Sequence, residues 1–237
     1  MYYYGFDWTY IVLVLPCVIL SLWASSSVNN TFKRYSQQYS MRRITGADAA
    51  MRVLRNNGVQ NVRIERVSGK LTDHFDPTTN VIRLSDSVYD STSTAAIGVA
   101  CHEAGHAVQY ARHYFPIKVR SAIIPITNIG SKLAMPLILL GLVLSYLGNF
   151  SYTLVYLGIA CFSLSLVFQL VTLPVEFNAS RRALSAISNC GILSEDEIVG
   201  ARKTLRAAAM TYVAATATAL AQLLRLIILF GGRRRRD

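Results

Sequence analysis

Hydrophobic residues gather in four long runs along this chain of 237 residues, and the polar positions lie mostly between them. Trp8 to Ala24 is apolar apart from Thr9 and Ser21, with tyrosines at its front edge like an interfacial aromatic belt. Leu133 to Phe150 and Tyr152 to Leu173 form two further runs around an uncharged joint, Gly148-Asn149-Phe150-Ser151. Ala207 to Phe230 is the fourth. Runs of this length cross a bilayer as helices. The pattern predicts a first span over 8–25, a transmembrane hairpin over 133–173 and a fourth hydrophobic helix over 207–230. No basic segment precedes the first run and no clear small-residue cleavage site follows it, so it reads as an uncleaved span with its extracytoplasmic end first. In the fourth run Thr211, Thr218, Gln222 and Arg225 share one helical face, and an intramembrane arginine must face the bundle or snorkel.

The segment 26–132 has other periods. Thr45 caps a helix start with Asp48 in the first turn. Ala49, Ala50, Val53 and Leu54 continue it, and Asn56-Asn57-Gly58 ends it. Val59 to Val67 alternates apolar and polar residues, a half-buried strand signal, and Val81 to Ser85 is a second strand. Leu71 to Asn80 is polar and turn-rich. A small sheet is expected, with Val81, Ile82, Arg83 and Leu84 as an edge able to hold an extended peptide by main-chain hydrogen bonds. Ser91 to Thr94 offers helix caps to an apolar run that begins at Ala95. Ile117 to Ile129 is a basic connecting segment. Pro174 can open a helix over 174–206, and Ser194 with Glu195, Asp196 and Glu197 can cap another that runs through Ala201 to Ala209.

Composition agrees with a membrane protein: 52% of residues are hydrophobic and only 16% charged, yet the formal net charge is +11. Lys33, Arg34, Arg42, Arg43, Arg52 and Arg55 follow the first run, which makes this loop cytoplasmic by the positive-inside bias. The excess is loop charge. No nucleic-acid partner is expected, since no reading module or aromatic-basic interleaving is present. The basic tail 231–237 runs against this topology, because four spans starting outside leave it outside. Either the fourth run is interfacial or re-entrant, or the tail is tolerated; inside, it would bind anionic lipid. Cys17, Cys101, Cys161 and Cys190 form no CxxC and read as buried free thiols.

The chemistry sits at His102-Glu103-Ala104-Gly105-His106. Residues four apart lie one turn above each other on a helix, so His102 and His106 can offer two imidazole nitrogens to one metal ion. Glu103 is then placed as general base rather than ligand. The alternative is a core helix with two satisfied histidines. His113 lies seven residues past His106, about 10 Å along the axis, and is a poor ligand. His74 is either a substrate or transition-state contact or a turn histidine bonded to Asp73, Asp76 or backbone, and turn chemistry favours the second. Glu176, the first acid after Glu103, falls on the same side of the membrane. It completes a two-His, one-Glu zinc set, or it pairs with Arg181 or caps a helix; spacing and topology do not separate these readings.

Gly69 to Tyr89 (GKLTDHFDPTTNVIRLSDSVY), Ala100 to Gln109 (ACHEAGHAVQ) and Leu173 to Leu184 (LPVEFNASRRAL) together resemble the bacterial membrane neutral zinc metallopeptidases, the YugP-like family, similar in plan to the HtpX-like membrane proteases. The resemblance covers nearly the whole chain. It implies Zn2+ bound by His102, His106 and Glu176, with Glu103 as base, on the cytoplasmic face. Asn178 stands where Asp is frequent in the family, and Ser180 where HtpX-like proteins place an Asp that orients a zinc histidine. Asn178, Ser180 and Arg181 are candidate supports for the ligands.

The fold class expected is a mainly α membrane protein, multi-pass in the cell membrane, with a small α+β zincin-like cytoplasmic domain built on the HExxH helix. The expected activity is a gluzincin-like zinc endopeptidase acting on peptide or protein substrates, damaged membrane proteins among them, with room for an oligomer or a membrane-protein partner. The rival readings are a non-catalytic zinc-stabilised scaffold or partner-binding protein, which would not need Glu103, and a transporter component, which an uncharged hairpin disfavours.

Overall fold

A computed structural model describes residues 7–147 and 149–231. Gly148 of the hairpin joint and residues 232–237 of the basic tail lie outside the described residues. The chain is mainly helical, with a small three-stranded sheet and four helices long and apolar enough to cross a membrane. It divides into two compact units. One gathers the residues up to Trp23, Val119–Thr172 and those from Thr211 onward; the other gathers Ala24–Lys118 and Leu173–Met210.

The apolar unit is built from α1, which opens with a wide turn at Tyr10–Val14 and continues as Leu15–Tyr35, and from parts of α4 (Phe115–Val143), α5 (Asn149–Asn189) and α6 (Ile198–Gly231). Small residues let the helices approach closely. A Cβ on Gly158 would lie 2.8 Å from the carbonyl oxygen of Ala134, so α4 and α5 meet backbone to backbone there. Polar residues bond inward: the Ser21 and Thr218 hydroxyls lie 3.1 Å apart, and the Arg225 Nε donates to Asp7 at 3.1 Å. Arg225 thus has a carboxylate partner, with the Tyr10 ring beneath its guanidinium.

The apolar runs mark the spans, but the helices extend past them. The connecting segment Ile117–Ile129 belongs to α4, and the residues expected as separate helices around 194–209 and 207–230 are one helix from Ile198. Pro174 does not open a helix; it lies inside α5, which continues through it. A proline removes one helical hydrogen bond, here the one that the carbonyl of Leu170 would accept, without obliging the chain to stop.

The second unit has the cleaner local logic. Thr45 caps α2 (Gly46–Asn56), its hydroxyl accepting from the Asp48 N–H at 3.1 Å. Ala49, Ala50, Val53 and Leu54 face the core, and Asn57 with a left-handed Gly58 ends the helix. Val59 and Val62 are buried, but only β1 (Arg63–Val67) is strand. A short strand, β2 (His74–Asp76), falls inside the polar stretch and pairs antiparallel with β3 (Val81–Ser85); β1 pairs with β3 in parallel. The order β1-β3-β2 makes β3 the central strand.

Val81, Ile82, Arg83 and Leu84 are therefore not an edge. Val81, Ile82 and Leu84 are fully buried, and partners on both sides use the strand's hydrogen-bonding groups. The cause is the turn after β2. The Asp76 carboxylate accepts from the Thr78 N–H, the Thr79 hydroxyl and Arg83, while the Asp73 carboxylate takes the Ser85 N–H at 2.7 Å. Polar side chains thus fold the stretch back onto β3 and leave β2 as the free edge beside the next helix.

That helix, α3 (Thr94–Ala111), is capped by Ser93 and buried on nearly every face against α2, the sheet, α5 and α6. At the start of α6 the Glu197 carboxylate accepts from the Met41 N–H at 2.7 Å and the Ser194 N–H at 2.9 Å. Burial pushes its pKa up, but these hydrogen bonds outweigh burial and hold it below the ordinary carboxylate value. The stabilisation is then complete above about pH 4.3, the unfolded value, and is lost as pH falls through the lower folded value. Glu197→Gln is expected to cost about 1–2 kcal/mol at pH 7, and the difference from wild type to shrink as the medium is acidified below that point, read by thermal unfolding in detergent.

Candidate metal centre

Two helices supply the site. His102, Glu103 and His106 come from α3, and Glu176 comes from α5, two residues past Pro174. His102 Nε2 lies 3.2 Å from Glu176 Oε2, His106 Nε2 lies 3.5 Å from the same oxygen, and the two imidazole nitrogens are 3.1 Å apart. Zinc bonds of about 2.0–2.1 Å in a tetrahedron place ligand atoms about 3.3 Å from one another. The three contacts match one face of that tetrahedron and leave the fourth corner to water or substrate. Among the described residues this is the group of histidine, cysteine and carboxylate side chains gathered closely enough to hold an ion.

The local electrostatics suit a cation. Burial alone would drive His106 toward its neutral form. The hydrogen bond that Glu176 accepts from it and the charge of Glu103 outweigh that and hold its pKa above the ordinary value. The site draws positive charge, and a metal ion takes the place of that proton. Cys101 adjoins the motif, but burial pushes its thiol far up, so it is a packing residue and not a thiolate ligand.

The approach of the two helices depends on Gly105. A Cβ there would stand 2.8 Å from the carbonyl oxygen of Ala179, so only glycine admits the α5 backbone at this depth. The contact lies one turn past Glu176 and sets its reach toward the histidines.

Each imidazole is oriented through its other nitrogen. Ser180 Oγ lies 3.1 Å from His102 Nδ1, and Gln109 Oε1 lies 3.0 Å from His106 Nδ1. The Gln109 amide is fully buried and its orientation is determined: its Nε2 donates to the Val175 carbonyl at 2.9 Å and to Asn178 Oδ1 at 3.0 Å, acceptors that leave the amide oxygen facing His106. The His106 imidazole then carries the proton on Nδ1 and presents Nε2 to the ligand group, and the Ser180 hydroxyl can accept from His102 Nδ1 in the same way. Asn178 Oδ1 also accepts from Arg182 Nε at 2.7 Å, and the Arg182 guanidinium lies over the Tyr114 ring.

Of the residues singled out from the sequence, the structure gathers His102, His106 and Glu176, with Glu103 buried beside them and without a side-chain partner among the described residues. Ser180 touches a ligand directly, and Asn178 acts through Gln109. Arg181 is exposed and contacts no ligand. His74 is exposed on β2, its Nδ1 bonded to the Thr72 carbonyl at 2.8 Å. His113 follows α3 in a left-handed turn, apart from the group. Asp73 has its pKa raised by burial first and by the Glu103 charge in smaller part, which places the β2 hairpin within electrostatic reach of Glu103. Gln109 and Gly105 escaped sequence reasoning. A polar residue three positions after a ligand histidine, on an otherwise apolar face, was the available signal for Gln109.

Gln109→Ala is expected to weaken zinc binding by about 10- to 100-fold in a chelator competition, because His106 loses the partner that fixes its tautomer. Arg181→Ala should leave zinc affinity unchanged in the same assay.

Comparison with known proteins agrees with this chemistry. The family described as "Putative neutral zinc metallopeptidase" matches residues 10–231. The "Putative membrane protease YugP" of Bacillus subtilis (strain 168) is 45% identical over 221 residues, which cover 93% of this chain and 96% of that protein. No solved structure matches. With a match that takes in the four apolar helices, the sheet and the His102, His106 and Glu176 group together, the chain belongs to the neutral zinc metallopeptidase family.

Proposed function

We propose that the chain is a membrane-anchored zinc endopeptidase of gluzincin-like design, with His102, His106 and Glu176 as ligands and Glu103 as general base. The observation that carries this reading is the pairing of a ligand triangle of tetrahedral dimensions with a buried, unpartnered carboxylate one residue from the first ligand. A scaffold would need the triangle and not the carboxylate.

A zinc ion held there supplies Lewis acidity, which acidifies water and polarises a carbonyl oxygen. The residues do the rest. Glu103, with no hydrogen bond to give up, accepts a proton from the attacking water. The water oxygen bonds to the carbonyl carbon, and Glu103 delivers the proton to the amine nitrogen as the C–N bond breaks. Ser180 and Gln109 keep the imidazoles in register throughout.

The substrate lies as an extended strand along the free edge of β2, bonded by its main chain, rather than along Val81–Leu84. Phe75 packs edge-on against Tyr110 of α3, with ring centres 5.6 Å apart, so this edge is braced on the helix that carries Glu103. The zincin-like unit faces the cytoplasm, as the basic residues after the first apolar run require, and its substrates are extended segments at the membrane surface, damaged membrane proteins among them.

Glu103→Gln in the detergent-solubilised full chain is expected to retain zinc and to lower cleavage of an unfolded protein by about 10²- to 10⁴-fold. Equal activity in the two proteins at equal zinc content would remove Glu103 from the mechanism. Zinc bound by both with cleavage by neither would return the chain to the scaffold reading.

A further inference from the structure

Several arginines in this structure face a carboxylate. Arg66 pairs with Asp86 and Asp90, Arg83 with Asp76, and Arg225 with Asp7. Two arginines on α5 do not. Arg181 makes no hydrogen bond or ion pair among the described residues, and Arg182 commits only its Nε, to Asn178. Both line a cavity of about 240 Å³ where α2, α3 and α5 meet beside Gly105. Val53, Val108 and Ala186 give it an apolar lining, and Asn57, Ser185, Asn56 and Asn189 a polar one; neither Asn56 nor Asn189 makes a side-chain hydrogen bond among the described residues. No aspartate or glutamate lines it.

The cavity therefore carries two positive charges and no carboxylate to balance them. Each guanidinium presents a planar fork, and two forks with two amides offer more N–H groups than the two oxygens of a carboxylate take up. A tetrahedral oxyanion, with three or four oxygens at different angles, meets them. We propose that this cavity binds a phosphate group. The chain carries four helices of membrane-spanning length, which makes lipid headgroups a source of phosphate; free phosphate compounds are the other. The site is tied to the metal centre. The Arg182 Nε donates to Asn178 Oδ1, Gln109 donates to the same oxygen, and Gln109 faces His106. An occupant fixes the outer end of a chain of hydrogen bonds whose inner end is a metal ligand.

The full chain in an uncharged detergent is titrated calorimetrically with inorganic phosphate, with short-chain phosphatidic acid, whose phosphomonoester keeps three terminal oxygens, and with short-chain phosphatidylcholine, a diester with two. Saturable binding of phosphate or phosphatidic acid is expected. Arg181→Gln should weaken it about tenfold, the loss of one charge-assisted contact. Asn189→Asp, which places an acid in the lining, should weaken it at least as much, and Arg202→Gln, on an exposed face of α6, should bind as wild type does. Binding of phosphatidic acid without phosphate assigns the lipid headgroup; binding of both assigns a free oxyanion. No saturable binding, equal heats from the two lipids, or wild-type affinity in Arg181→Gln and Asn189→Asp would overturn the proposal.

Discussion

A methyl group on residue 105 would meet the Ala179 carbonyl oxygen at 2.8 Å, so α3 and α5 lie together at this depth only because the residue is glycine. The ligand triangle depends on that approach. Two nitrogens one helical turn apart are a local matter, settled by the geometry of α3 alone. The third ligand comes from another helix and must arrive within a few tenths of an ångström. Backbone contact between helices sets such a distance better than any side chain, because it leaves no rotamer to adjust. The Gln109 amide adds a second fastening, reaching from α3 to the Val175 carbonyl beside Glu176.

The partners of the ligands are uncharged. Ser180 and Gln109 orient the imidazoles as an aspartate would, but without adding negative charge to the site. Glu176 is then the one anionic ligand, and a divalent ion there keeps a net positive charge to act on water. Glu103 lies outside this arrangement, buried yet free of hydrogen bonds among the described residues, which is the environment that the proposed role of taking and returning a proton calls for.

What could be read from the sequence was what depends on near neighbours. The histidine spacing, the Thr45 cap, the apolar runs and the strand at Val81–Ser85 each rest on a period of a few residues. The order of the sheet does not. Nothing in His74-Phe75-Asp76 alternates for long enough to mark a strand, and β2 exists because Asp73 and Asp76 bind the far side of the turn. This is why Val81–Leu84 was expected at an edge and lies at the centre. Pro174 misled for a related reason: proline favours a helix start locally, while the packing of α5 on both sides carries the helix through it. Gln109 was visible as a polar intruder, but its role needs Val175 and Asn178, some seventy residues away, and that contact has no sequence signature.

The unit that holds the ligands is discontinuous along the chain, Ala24–Lys118 and then Leu173–Met210. Glu176 is made 74 residues after His102, and α4 and the apolar part of α5 are made between them. A ribosome therefore releases the two histidines early and the completing carboxylate only after both hydrophobic helices have emerged. A chain cut short before Glu176 has no triangle to close. The order of synthesis thus makes the site a late product, completed only once α4 and the apolar part of α5 have been made.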